Sequence, residues 1–434
     1  MKYKILNKNY LKRNIVIVAL IIGIISVVIL NFTRTKHRIT ESISLVNGHI
    51  NYKLSDLNLI GVYIEDKNDY TKVNQIPDSG YIFNSEKSYC QIDNKKQDMT
   101  ITYDMNTKNL TIAPMTTKGT KCYLYFDKQK ISLEDAIKRD NTINNELPNF
   151  ADPATTNEGL YKTEDDWGES YYFRGDINNN WVLFAGFYWR IIRINGDGSI
   201  RLIYNGESTT TTGDSTMIEN SQIYNDEYNR SEYVGYMYIT NEQHGNAINS
   251  NIKIVIDDWY TNNLANYASQ ISMEAGFCGD REIARGYLWS SIPNDTIYYA
   301  TQGRLTQNSN SINPTLKCSN SSDLYTVSES SKGNHALNNP IGLITADEVS
   351  MAGEVYGTNN SDYYLYTKQY YWTMSPFYFS PSYTYPTGVF IVDANGWLDG
   401  SGVRSAGGVR PVINLTRDVI IKSGNGTSST PYEI

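Results

Sequence analysis

The residues best composed for recognition chemistry run from Phe377 to Arg404. Phe377 to Thr387 reads FYFSPSYTYPT, placing Tyr378, Tyr383 and Tyr385 among serine and proline. Tyrosine offers a large contact area with a polar tip at small entropic cost, and proline narrows the unbound loop. Trp397, Asp399 and Arg404 follow and would add stacking and polar contacts. The same aromatics would serve equally well to pack against a sheet. Tyrosine is the compositional outlier of the chain, with 36 residues against 11 Phe and 7 Trp, and its β-propensity accounts for that excess without any ligand.

Catalytic and metal chemistry find less support. His37, His49, His244 and His335 are scattered, with no i+3 or i+4 pair to hold zinc. There is no Gly-x-Ser-x-Gly elbow and no phosphate loop. Asp165-Asp166 and Asp257-Asp258 are adjacent carboxylates, and a glycosidase site needs two carboxylates facing across a cleft. Asp176-x-Asn178-x-Asn180 has a spacing that suits hard cations. It lacks the glycine and terminal glutamate of a calcium loop and reads as an Asx-rich turn. No catalytic residue, metal or cofactor is assigned.

The elements that would position the aromatic loop are three short apolar strands. They read YYWTMSP from Tyr370, GVFIVDANGW from Gly388 and GGVRPVINL from Gly407, and Asn395-Gly396 is a turn signal. We read them as one rigid sheet presenting loops, with Arg410 structural and paired to a buried carboxylate or carbonyl. Upstream, WVLFAGFYWRIIRI from Trp181 to Ile194 turns through Asn195-Gly196-Asp197-Gly198 into SIRLIYNG. Residues 207 to 247 are polar and tyrosine-rich and read as an excursion off the core. Ile252, Val255, Ile256, Trp259 and Tyr260 share one helical face, with the helix running from Ser250 to Leu264. Thr345-Ala346-Asp347-Glu348 is a capping box for a second helix that stops at Gly353.

Tyr371-Trp372-Thr373-Met374-Ser375-Pro376 and Gly408-Val409-Arg410-Pro411-Val412 resemble the closing elements of one family. It is a domain of uncharacterised function in Gram-positive surface proteins, related in fold to C-type lectins and formylglycine-generating enzymes. The resemblance covers roughly Asp176 to Leu415, and Trp189-Arg190-Ile191-Ile192-Arg193 is similar to the family's opening strand. It implies a twisted antiparallel sheet with two helices and long loops. The enzymes of that group use two cysteines near the end of the fold, whereas here none follows Cys318. The Glu-Pro-Asn, Gln-Pro-Asp and Trp-Asn-Asp motifs of calcium-dependent lectins are missing as well.

Export is read from the other end of the chain. Residues 15–32 are about 18 residues without charge, long enough to span a bilayer. Five basic residues precede them and three follow, which places the first 14 residues in the cytoplasm. No small-x-small cleavage site follows, so an uncleaved signal anchor is expected, with a cleaved signal peptide as the alternative. The net charge of −8 includes eight Lys or Arg and no acid in the first 38 residues. The remainder carries 30 Lys plus Arg against 46 Asp plus Glu, which argues against a nucleic-acid partner.

An exported chain most often oxidises its cysteines, so we expect the disulfides Cys90–Cys122 and Cys278–Cys318. The expected fold class is α+β. It comprises a cytoplasmic tail (1–14), a transmembrane helix (15–32), a small all-β, sandwich-like domain (44–130) and a helix and linker (131–159). A C-type lectin-like domain (160–418) and a C-terminal tail (419–434) complete it. The expected function is extracellular binding of a protein or glycan from a Gram-positive cell surface, anchored in the cell membrane. An extracellular enzyme acting on cell-wall polymer, or a pilus-like structural component, are the alternatives.

Overall fold

The computed structural model describes residues 41–44, 57–66, 69–105, 107–113, 119–292, 294–306 and 312–434. The chain forms two compact units, Met1–Gln129 and Lys130–Ile434. Among the described residues the first unit is built of strands alone and the second mainly of strands with a few short helices, an α+β composition for the whole. The expected membrane segment, 15–32, lies outside the described residues. Among the described residues no helix is long and apolar enough to cross a membrane.

In the first unit, Leu57–Asp66 and Thr120–Lys128 lie parallel at the centre of a five-stranded sheet. A three-stranded antiparallel sheet joins Glu41–Ser44, Asn109–Ala113 and Thr100–Asp104. The alternation in TITYD and NLTIA buries Ile101, Tyr103, Leu110 and Ile112 on one face. These side chains share one apolar cluster with Val62, Leu124 and Phe126 of the larger sheet. Cys90 and Cys122 are direct partners across adjacent strands of that sheet and form the expected disulfide inside this cluster.

The second unit opens with the helix Leu133–Asp140, which Ser132 caps by accepting the Asp135 amide at 3.0 Å. Its main sheet runs, edge to edge, through Val412–Leu415, Ile200–Tyr204, Phe187–Ile194, Gly168–Gly175, Asn157–Asp165 and Ile143–Asn144. A second sheet holds Ile297–Tyr298, Tyr371–Phe379, Thr387–Val392 and Leu398–Gly402. Both contribute to one core with the helix Asn251–Asn263, which Ser250 caps and which buries Ile252, Ile256, Trp259 and Tyr260. Val255, the remaining member of the expected stripe, is half-buried, and Lys253 is fully buried beside it with its ammonium on Asp257.

Five expectations change. The run Trp181 to Ile194 is two strands, because Ala185 (φ 54°) and Gly186 (φ 82°) form a two-residue turn that sets Phe184 opposite Phe187. Left-handed φ at both turn positions matches the twist of a hairpin, and glycine adopts it without strain. The three C-terminal strands divide between the two sheets. Tyr371–Phe379 and Thr387–Val392 pair together, while Val412–Leu415 pairs with Ile200–Tyr204. Residues 207–247 run through the core, with Tyr224, Val234 and Tyr236 fully buried. Residues 419–434 are built into the main sheet, where Tyr432 pairs with Val182 and is fully buried. The segment 131–159 is likewise fastened down, since Arg174 donates to the carbonyls of Asn149 and Asp152.

Candidate functional site

The end of the second sheet carries the aromatic loop. Tyr378 lies over Gly388, where any side chain would collide with its ring, and Tyr385 lies over Gly402 in the same way. Glycine at these strand positions lets the rings lie against the backbone. The Tyr378 hydroxyl donates to the Tyr385 carbonyl at 3.3 Å, and its ring meets Tyr383 edge-on at 5.1 Å. Burial, then Tyr383 and Asp399, push the Tyr378 phenol up to about 12, so it stays a neutral donor. The loop itself is closed by Ser380, whose amide donates to the Pro386 carbonyl at 2.7 Å. Tyr383 and Tyr385 remain 51% and 44% exposed, enough to offer their faces to a partner.

Arg404 joins this group. Its guanidinium lies 5.0 Å from the Tyr228 ring and pairs with Asp226 at 3.2 Å. Tyr228 in turn meets Tyr385 edge-on at 6.0 Å. Four of the six expected residues, Tyr378, Tyr383, Tyr385 and Arg404, therefore converge. Trp397 does not. It sits in the turn at the opposite end of the hairpin, whose register pairs Gly388 with Gly402 but Val392 with Leu398. Four residues of strand put about 14 Å between the two ends. Asp399 stands between them, opposite Ile391, and hydrogen-bonds Tyr356.

Beside the tyrosines is a cavity of about 250 Å³ that sequence reasoning did not single out. Phe379 forms part of its wall, and Asn229, Arg230, Ser231, Glu232, Asn241, Trp289 and Ile292 supply the rest. It adjoins the aromatic group through Thr387, whose hydroxyl donates to the carbonyls of Tyr228 and Arg230. Glu232 is 2% exposed, and its Oε1 accepts Arg230 Nε at 2.6 Å and the Asn241 amide at 2.8 Å. The hydrogen bond to Glu232, against a smaller effect of burial, raises the Arg230 guanidinium above its usual range. The one sequence signal was the mixture of donors and acceptors in Tyr228-Asn229-Arg230-Ser231-Glu232. Trp289 belongs to a distant stretch and gave none. A larger cavity, about 440 Å³, has Trp259 and Tyr204 in its floor and Glu207 and Glu219 at its rim.

The carboxylates that converge elsewhere are held in ion pairs. Glu348 Oε1 lies 3.0 Å from Arg193 Nε and 2.6 Å from Arg201 Nε, and Arg193 also pairs with Asp165. Arg304 bridges Asp280 and Asp347, each at 2.9 Å. Arg281 pairs with Asp323 at 2.6 Å. The cavity among the first two groups is about 20 Å³, room for about one water. The first node ties the helix Ala346–Met351 to the main sheet, the second ties the long segment before it to that helix, and the third, like the expected disulfide Cys278–Cys318, closes the segment on itself.

The remaining candidates are dispersed. Asp166 accepts the Cys318 amide at 3.0 Å while Asp165 points into the arginine node. Asp258 is exposed and Asp257 carries Lys253. His244 sits on Asp323 at 2.8 Å, and His37 and His49 lie outside the described residues. Asn180, of the Asx-rich turn, accepts Arg190 at 2.6 Å. Arg410 donates to the carbonyls of Tyr204 and Leu365, each at 3.1 Å, as its structural reading required. Among the described residues no three His, Cys, Asp or Glu side chains are grouped as metal ligands. Peptide maps before and after reduction are expected to recover both disulfide-linked pairs; a free thiol at any of the four cysteines in the native chain would contradict the structure.

Comparison of the chain with protein families, with curated proteins and with solved structures finds no match.

Proposed function

We propose that this chain is a membrane-anchored extracellular binding protein of a Gram-positive surface. Its second unit is a C-type lectin-like domain that presents the Tyr378, Tyr383, Tyr385 and Arg404 face to a protein or glycan. The observation that carries this reading is the exposure of Tyr383 and Tyr385 beside the 250 Å³ cavity. Rigid, half-exposed tyrosines next to an arginine have the composition of recognition surfaces. An enzyme acting on cell-wall polymer would need unpaired carboxylates facing a cleft, and those grouped around Arg193, Arg201 and Arg304 are neutralised by these arginines. Two disulfides suit an oxidising compartment. Residues 15–32 supply the anchor, and the membrane is the partner at that end.

The test is binding of the full chain to whole cells and to glycan and protein arrays. Tyr383→Ala combined with Tyr385→Ala is expected to weaken the strongest array signal at least about 10-fold. Both rings are substantially exposed, so the unfolding midpoint should not move. Unchanged binding by the double variant would remove this face from consideration.

A further inference from the structure

The cavity beside the tyrosines has a composition that admits one class of ligand. Arg230 and Glu232 neutralise each other at 2.6 Å, so an anion entering the cavity meets the carboxylate and a cation meets the guanidinium. An apolar ligand would strip water from Asn229, Arg230 and Asn241 without replacing its hydrogen bonds. What remains is an uncharged molecule dense in hydroxyls with one apolar face. We infer that this cavity is a saccharide pocket, taking one neutral sugar ring without a metal ion. The inference rests on the reading of the neighbouring tyrosines as a binding face.

The residues divide the work in a way that sugar chemistry requires. Vicinal hydroxyls need partners that accept and partners that donate, spaced as planar groups provide. Glu232 Oε2 has one contact, Ser231 Oγ at 3.3 Å, and so retains acceptor capacity. Asn229 and Asn241 carry both an acceptor and a donor, and Arg230 uses Nε on Glu232 and Nη2 on Asn241. Glu232 is held from two sides, so its carboxylate is already in place before a ligand arrives. The half-buried indole of Trp289 supplies the flat surface for the C–H face of a sugar ring. At about 250 Å³ the space is smaller than the ~300–1,000 Å³ of drug-sized sites, which limits the occupant to a single ring with its substituents. Tyr385 meets Tyr228, the residue before Asn229 of the wall, and Tyr383 packs on Tyr378 beyond it, so further units of a chain would pass over these exposed rings.

The experiment titrates the full chain with the methyl glycosides of glucose, galactose, mannose and N-acetylglucosamine, followed by saturation-transfer NMR and tryptophan fluorescence. At least one glycoside is expected to bind saturably in roughly the millimolar range. Trp289→Ala should weaken it at least about 10-fold, and Glu232→Gln should do the same. Asn229, which is exposed, provides a third variant, Asn229→Ala, should the buried Glu232 change impair folding. A short oligosaccharide of the same sugar should bind more tightly than its glycoside, as a glycan source requires; equal affinity would point instead to a free sugar in the same pocket. Absence of saturable binding by all four glycosides, or binding indifferent to Trp289→Ala, overturns the assignment. If that happens while the Tyr383 and Tyr385 double variant still loses its array ligand, the binding face stands and the sugar pocket falls. If neither variant matters, both fall.

Discussion

Replacing Glu348 with glutamine is expected to destabilise the second unit by about 3–5 kcal/mol, the usual result of removing one member of a buried ion pair. Arg193 and Arg201 stand directly opposite each other on adjacent strands, an arrangement of like charges that is unfavourable unless bridged. Glu348 is the bridge, and all three side chains are buried. Burial alone would raise its carboxyl, but Arg201 and Arg193 outweigh that and hold it below its ordinary value of 4.5. The same residue closes the capping box. Its Oε2 accepts the Thr345 amide at 3.0 Å while its own amide donates to Thr345 Oγ at 3.0 Å. Glutamine preserves the box, so the loss isolates the charge. A carboxyl depressed in the folded state stabilises above its unfolded pKa and ceases to do so as pH falls through the folded one. The parent chain should therefore lose stability below about pH 4.5, and the Glu348→Gln chain should lack that part of the slope. Guanidinium unfolding across pH 3–7 measures both. A midpoint unchanged by the substitution would show that the ion bridge contributes nothing.

Glu354→Gln should act in the opposite direction and raise stability by up to about 3 kcal/mol at pH 7. Glu354 is fully buried, and burial pushes its carboxyl from 4.5 to about 9, with the amides of Val355 and Leu398 pulling only partly against it. In the folded chain it is protonated at neutral pH, whereas the unfolded chain ionises it near 4.5. The unfolded state thus binds fewer protons, and stability falls as pH rises from about 4.5 to about 9. Glutamine mimics the protonated form and has no proton to lose. The gain should vanish near pH 4 and widen towards pH 9. Unfolding midpoints of the two chains that run parallel from pH 5 to pH 9 would refute a neutral Glu354. Two glutamates six residues apart thus carry opposite charge states, and only their surroundings distinguish them.

Short-range features of this chain were legible before folding was considered. Thr345 caps the helix it precedes, as its box implied, because a cap needs only an oxygen three residues ahead of an amide. The turn at Asn195 to Gly198 and both disulfide pairings could be read from spacing and context. Ala185-Gly186 was missed since it interrupts an apolar run without polar punctuation. Arg410 was assigned a structural role from its place in an apolar strand, and its carbonyl partners bear this out.

The candidate site was half legible. Composition marked Tyr378, Tyr383, Tyr385 and Arg404, and the fold gathers them. It also grouped Trp397 with them, and strand register separates it. The polar side of the site left only the mixed donors and acceptors of residues 228–232 as a trace, because Glu232 and Trp289 become neighbours only through the fold around Phe379.

Residue types and local spacing determined the mainly β character, the helix ends and the turns, since these depend on neighbours within a few positions, whereas the disulfide pairs, 32 and 40 positions apart, followed from cysteine number and an oxidising context. Tertiary structure alone decided which charges are buried, which tyrosines face solvent and which loops meet. Arg193 and Glu348 are 155 positions apart and form one ion bridge. Such a contact depends on how the helix Ala346–Met351 packs against the main sheet, and no local pattern of residues encodes that distance.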